Sequence, residues 1–81
     1  MVARLRERKP DAVKLGMLAE HYDLTPTETA VLGQIAEGLS NREIAERQRV
    51  SLETARTHVH RVLQKLGVPT RTKAALLTRE G

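Results

Sequence analysis

The stretch Ser40-Asn41-Arg42-Glu43-Ile44-Ala45-Glu46-Arg47-Gln48-Arg49-Val50-Ser51-Leu52-Glu53-Thr54-Ala55-Arg56-Thr57-His58-Val59-His60-Arg61-Val62-Leu63-Gln64-Lys65-Leu66 decides the fold. It contains two helix starts joined by a tight connection. Ser40 precedes Glu43 by three residues, the reciprocal spacing in which a hydroxyl caps a first-turn amide and the carboxylate returns to the amide of the cap. Ile44 and Ala45 follow, so a short helix is expected to about Gln48. Ser51 is a second capping residue. Behind it Ala55, Val59, Val62, Leu63 and Leu66 recur at helical spacing, which predicts a longer helix over about residues 52–66. Gly67 suits the left-handed backbone that ends helices, and Pro69 prevents the helix from resuming.

The flanks read in the same way. Upstream, Leu24-Thr25-Pro26-Thr27-Glu28 combines a capping threonine, a proline suited to the first helical position and a glutamate that completes a capping box. Val31, Leu32, Ile35 and Ala36 then predict a helix over about residues 26–37, ended by Gly38. Downstream, Thr70 introduces a short helix from Arg71 to Arg79 with Ala74, Ala75, Leu76 and Leu77. Asp11 to Tyr22 reads as helical despite Gly16, and residues 1–9 read as a solvated arm. No segment reads as a strand, no tract repeats, and the expected class is all-α.

Composition narrows the functions open to such a fold. Eighty-one residues are too few for two cores. There is no run of about 18 apolar residues, so a membrane span is excluded, and no signal sequence is evident, which makes the cytoplasm the expected location. The absence of cysteine removes disulfides, thiolate nucleophiles and sulfur-ligated zinc. Tyr22 is the single aromatic residue, which argues against modules that stack bases on aromatic platforms. No nucleophile, acid pair or phosphate loop suggests an enzyme, and no cofactor is implied.

The net charge of +4 is unevenly spread: residues 1–9 carry +3, residues 10–48 carry −4 and residues 49–73 carry +5. The basic block coincides with the longer helix. At 100° per residue the apolar positions of that helix share one side, while Glu53, Arg56, Thr57, His60 and Gln64 lie roughly 160–180° away. Every member of this polar stripe can donate to or accept from a base edge or a phosphate. A solvated helix face is the plain alternative, but such faces more often mix signs at i,i+4, as Arg42 and Glu46 do. His58 and His60, two apart on a helix, point in different directions and make no metal site. His58 is expected at the core edge with a hydrogen bond, and Tyr22 is expected to pack against the helix at 26–37. Two short-linked helices with a polar second helix make a helix-turn-helix, whose second helix enters the major groove.

From Leu24 onward the chain resembles the LuxR-type helix-turn-helix family, which includes NarL/FixJ response-regulator output domains and GerE. The residues that carry the likeness are Leu24-Thr25 with Glu28, Val31-Leu32, Ala36 with Gly38, Ser40 to Ala45, Val50-Ser51 with Thr54, Arg56 with His58, and Lys65-Leu66 with Val68, Arg71 and Ala74. The resemblance implies a four-helix domain over residues 23–81 and does not account for residues 1–22, which read as an N-terminal helical or linker extension.

It also implies sequence-specific binding of double-stranded promoter DNA by a bacterial transcription regulator. Carried over by position, base reading falls on Glu53, Arg56, Thr57 and His60. Backbone contacts fall on Asn41, Arg42, Arg49, Ser51, Thr54, Arg61, Gln64 and Lys65. The last helix is expected to form a homodimer through Ala74, Leu76 and Leu77, placing two copies on an inverted repeat, and RNA polymerase is a further expected partner. The chain departs from the family pattern at Thr27, at Ala55, at Gln48-Arg49 and at His60, where Lys or Arg is common. Region 4 of a sigma factor, or a protein-interaction module that has lost DNA binding, are the rival readings.

Overall fold

Four of the helices begin where hydroxyl side chains meet first-turn amides. The computed structural model describes residues 12–79 and contains α1 (Ala12–Tyr22), α2 (Pro26–Ala36), α3 (Asn41–Gln48), α4 (Leu52–Leu66) and α5 (Arg71–Arg79). The arm expected at residues 1–9 and the helical start at Asp11 lie outside the described residues. Thr25 Oγ1 accepts from the Glu28 amide at 3.1 Å, and Glu28 Oε1 accepts from the Thr25 amide at 2.9 Å. Ser40 and Glu43 make the same reciprocal pair at 3.2 and 2.8 Å. Ser51 caps α4 by accepting from the Thr54 amide at 3.1 Å. Each cap contributes about 1 kcal/mol.

Two helices end on the expected glycines, Gly38 with φ +89° and Gly67 with φ +70°. Two others end on residues with a side chain: Asp23 has φ +58° and Arg49 has φ +57°. At the second of these the Val50 amide donates to Ala45 O at 3.0 Å, which folds the chain back tightly enough for α4 to start at once. The turn between the two helices of the motif is therefore closed by Arg49 in left-handed backbone.

Helix α2 is the centre of the fold. It packs against α1, α4 and α5, while α3 rests on α4. Val31, Leu32, Ile44 and Val62 are the largest fully buried side chains, joined in the core by Leu18, Ile35, Ala45, Ala55, Val59, Leu66 and Ala74. Tyr22 and Leu24 are half-buried against this core. Among the described residues there is no strand, and the all-α class stands.

The last helix turns its alanine inward. Ala74 is 0% exposed and Thr78, one turn on, is 3% exposed, so the Ala74–Thr78 edge of α5 packs into the domain. The expectation that Ala74 forms a dimer surface is corrected on that ground: a side chain sealed inside the core reaches no second copy. Leu77 is half-buried against the core, and Leu76, 47% exposed, is the one of the three that faces solvent.

Glu28 ties three elements together. Besides capping α2, its carboxylate accepts from Lys65 Nζ, near the end of α4, at 2.7 Å. The same ammonium donates to Asp23 O at 3.0 Å in the turn after α1. The Lys65 hydrogen bond, then the Thr25 amide, hold the Glu28 pKa below its ordinary value against the opposing effect of burial.

Because folding lowers this pKa, the stabilisation is fully present above the unfolded carboxylate value of about 4.3 and is lost as pH falls through the lower folded value. Glu28→Gln should therefore lower stability at neutral pH by about 1–2 kcal/mol, because it removes an ion pair whose carboxylate is buried and whose ammonium is partly exposed, and flatten the acid limb of the unfolding curve. Lys65→Met should cost more, about 2 kcal/mol, by leaving the carboxylate unpaired. Urea unfolding of both variants across pH 3–7 checks this, and an acid limb unchanged in Glu28→Gln would contradict it.

Candidate nucleic-acid interface

Amphipathicity sets which side of α4 is available. Ala55, Val59, Val62 and Leu66 are buried against the rest of the domain. Turning the helix by half a revolution brings up Glu53, Arg56, Thr57, His60, Arg61 and Gln64, all exposed. At 15 residues the helix is about 22 Å long, and a single helix fits the major groove, about 12 Å wide. Thr57 Oγ1 donates to Glu53 O at 3.2 Å, which orients its hydroxyl along the helix. Ser51 Oγ donates to Thr54 Oγ1 at 3.0 Å, so the cap and a half-buried threonine form one polar unit at the start of α4. His58 is half-buried, as expected, but among the described residues its ring has no hydrogen-bond partner.

Seven of the basic residues divide into two groups. Lys65 is committed to Glu28 and Asp23 O, Arg71 to Asn41 and Leu39 O, and Arg79 donates to Ala36 O at 3.1 Å. These three serve the fold. Arg42, Arg49, Arg56 and Arg61 are exposed, and among the described residues none makes a hydrogen bond or ion pair through its side chain. The expected contact residues thus gather at the start of α3, the α3–α4 turn and the outer side of α4, with one exception. Lys65, expected to reach DNA backbone, has its ammonium held 2.7 Å from a buried carboxylate on the scaffold.

Sequence reasoning missed the structural role of Arg71. It stood as the start of the last helix, as one residue of the family likeness and as a positive charge in the C-terminal block, and nothing local to residues 69–73 signals a partner 30 residues upstream in Asn41. Among the described residues no group of His, Asp or Glu is placed to hold a metal ion, and no helix is long and apolar enough to cross a membrane.

Residues 22–78 match the family model described as bacterial regulatory proteins, luxR family. The chain is similar to the DNA-binding transcriptional activator DevR/DosR of Mycobacterium tuberculosis, 41% identical over 71 residues, which is 83% of this chain and 33% of the relative. It is similar to the transcriptional regulatory protein LiaR of Bacillus subtilis, 37% identical over 76 residues, 94% of this chain and 33% of the relative. It is 44% identical over 59 residues to the response regulator protein VraR of Staphylococcus aureus, 72% of this chain and 28% of the relative. The chain therefore spans 33% or less of the length of these relatives. No solved structure matches it.

The left-handed residue in the turn separates stability from surface chemistry. Arg49→Gly relieves about 1 kcal/mol of backbone strain and loosens the unfolded chain by a similar amount, so its unfolding free energy should stay within about 1 kcal/mol of the parent. Arg49→Val, β-branched in the same conformation, should lose about 2 kcal/mol. Equal urea midpoints for the two variants would show that this backbone conformation is not adopted in solution.

Proposed function

The chain belongs to the luxR family of bacterial regulatory proteins, and from that premise we propose that it is the DNA-binding output domain of a transcription regulator, reading duplex DNA with α4 in the major groove. The observation that carries this reading is the set of exposed arginines, Arg42, Arg49, Arg56 and Arg61, without an ion pair among the described residues and next to a polar helix face. Phosphates supply the missing counter-charge, and release of condensed ions from DNA drives the association.

Base reading is assigned to Glu53, Arg56, Thr57 and His60. Arg56 is suited to a bidentate contact with guanine, and Glu53 to accepting from cytosine. Backbone contacts are assigned to Asn41, Arg42, Arg49, Ser51, Thr54, Arg61 and Gln64. Lys65 is left out of this set because it neutralises Glu28. The family is one of regulators and the role is recognition, not catalysis.

Two copies on an inverted repeat would place two α4 helices one helical turn apart. Leu76 is the residue of α5 available for contact between copies, supported by its 47% exposure on a helix whose Ala74 is buried and whose Leu77 packs against the core.

Selection of bound duplexes from a random library at near-physiological salt tests the function. Enrichment of a motif with two inverted half-sites is the expected result. No enrichment, with binding abolished at that salt, would reduce the reading to nonspecific electrostatics. Against the selected duplex, Arg56→Ala should relax preference at one base pair at a cost of about 1–3 kcal/mol, whereas Arg61→Ala should weaken all duplexes alike and reduce the salt slope by about one. Uniform loss in both variants would refute the division of roles. Leu76→Glu should leave the unfolding midpoint nearly unchanged but weaken binding to the paired site more than to a single half-site; equal loss on both would remove Leu76 from the contact between copies.

A further inference from the structure

Arg71 opens α5, and its guanidinium reaches the turn between α2 and α3. One nitrogen donates to Asn41 Oδ1 and another donates to Leu39 O at 2.8 Å. Leu39 lies in the turn after α2, and Asn41 is the first residue of α3, so the fork clamps the turn from which the motif begins. Arg71 is half-buried and thereby withdrawn from solvent.

The consequence for Asn41 is directional. A side-chain amide has an acceptor end and a donor end on one rigid plane. The reversed orientation would set its N–H pair against the N–H groups of a guanidinium that is charged at every working pH. Arg71 therefore selects the orientation with the oxygen inward. The Asn41 amide nitrogen is neither bonded among the described residues nor buried, so its two N–H donors are left toward solvent. Arg42, exposed and unpaired among the described residues, is the next residue. Phosphate oxygens only accept hydrogen bonds, so the donor end is the useful one.

We propose that Arg71 is a positioning residue for DNA binding, holding Asn41 Oδ1 so that the amide N–H groups face outward as phosphate donors. This rests on the DNA-binding reading above. Arg71 does not touch DNA, and its effect passes through Asn41.

The test is a double-mutant cycle on duplex affinity, read across a salt series with the duplex selected by the parent protein, with thermal unfolding followed in parallel. Asn41→Ala and Arg71→Met should each weaken binding about 3- to 10-fold, and the double variant should bind no worse than Asn41→Ala. The salt slope of Arg71→Met should equal that of the parent, because a neutral amide contact releases no counterion, whereas Arg42→Ala should lose about one from the slope. Asn41→Asp, which keeps the acceptor for Arg71 but turns a carboxylate outward, should remain folded and bind at least tenfold more weakly.

Multiplicative losses in the cycle, a slope reduced by about one in Arg71→Met, or parental affinity in Asn41→Ala would each overturn the proposal. Should Arg71→Met fail to fold, the cycle is run with Arg71→Lys, whose single ammonium cannot hold Leu39 O and Asn41 Oδ1 as a fork. A parent protein that binds no duplex would overturn the DNA-binding reading itself, whereas normal parental binding with unchanged Asn41→Ala would overturn the positioning role alone.

Discussion

One carboxylate stands where three helices must agree. Glu28 closes the capping box of α2 and receives Lys65 from the last turn of α4, and the same Lys65 reaches the turn after α1. Removing the charge would loosen more than an ion pair, because the start of the central helix and the end of the proposed reading helix share it. The geometry also explains how a nearly buried acid is tolerated. Its oxygen accepts from an ammonium and from an amide, the pattern that offsets desolvation.

With that joint in place, a core without phenylalanine or tryptophan becomes sufficient. The buried side chains are aliphatic or alanine, and all but Leu18 lie on α2, α3, α4 and α5. Small residues at Ala55 and Ala74, both fully buried, leave no bulky side chain at those positions of α4 and α5. Polar links take up work that large aromatics perform in other small domains. Arg71 holds the α2–α3 turn and Arg79 caps a carbonyl at the end of α2, so α5 secures the central helix by hydrogen bonds as well as by burial.

What could be read from residues alone follows from the range of the forces. Caps are local, so Thr25 with Glu28, Ser40 with Glu43, and Ser51 located the starts of α2, α3 and α4. Helical periodicity is local too, and it separated the buried side of α4 from the stripe of Glu53, Arg56, Thr57 and His60. The turn between Gln48 and Ser51 was legible but its left-handed closure at Arg49 was not, because an arginine in that backbone carries no signature comparable to a glycine. Lys65 and Arg71 looked like members of one basic block, and only the folded chain shows that their partners lie 37 and 30 residues away. Ala74 was misread for a related reason: on a nine-residue helix, apolar positions on adjacent faces do not reveal which face meets the core.

The division of the basic residues has a consequence for specificity. A domain whose every cation faced outward would bind any polyanion, since phosphate attraction carries little sequence information. Here Glu28 neutralises Lys65, and the guanidinium groups of Arg71 and Arg79 are occupied by acceptors of the fold, which leaves fewer free cations for unselective attraction. Two of the three hold elements that carry proposed contacts, Lys65 at the end of α4 and Arg71 at the start of α3. Charge is thereby converted into orientation. If α4 reads DNA as proposed, its fixation at the first turn by Ser51 and at the last by Lys65 would limit how far Arg56 can be re-aimed, and a bidentate contact, which tolerates little angular error, depends on such rigidity.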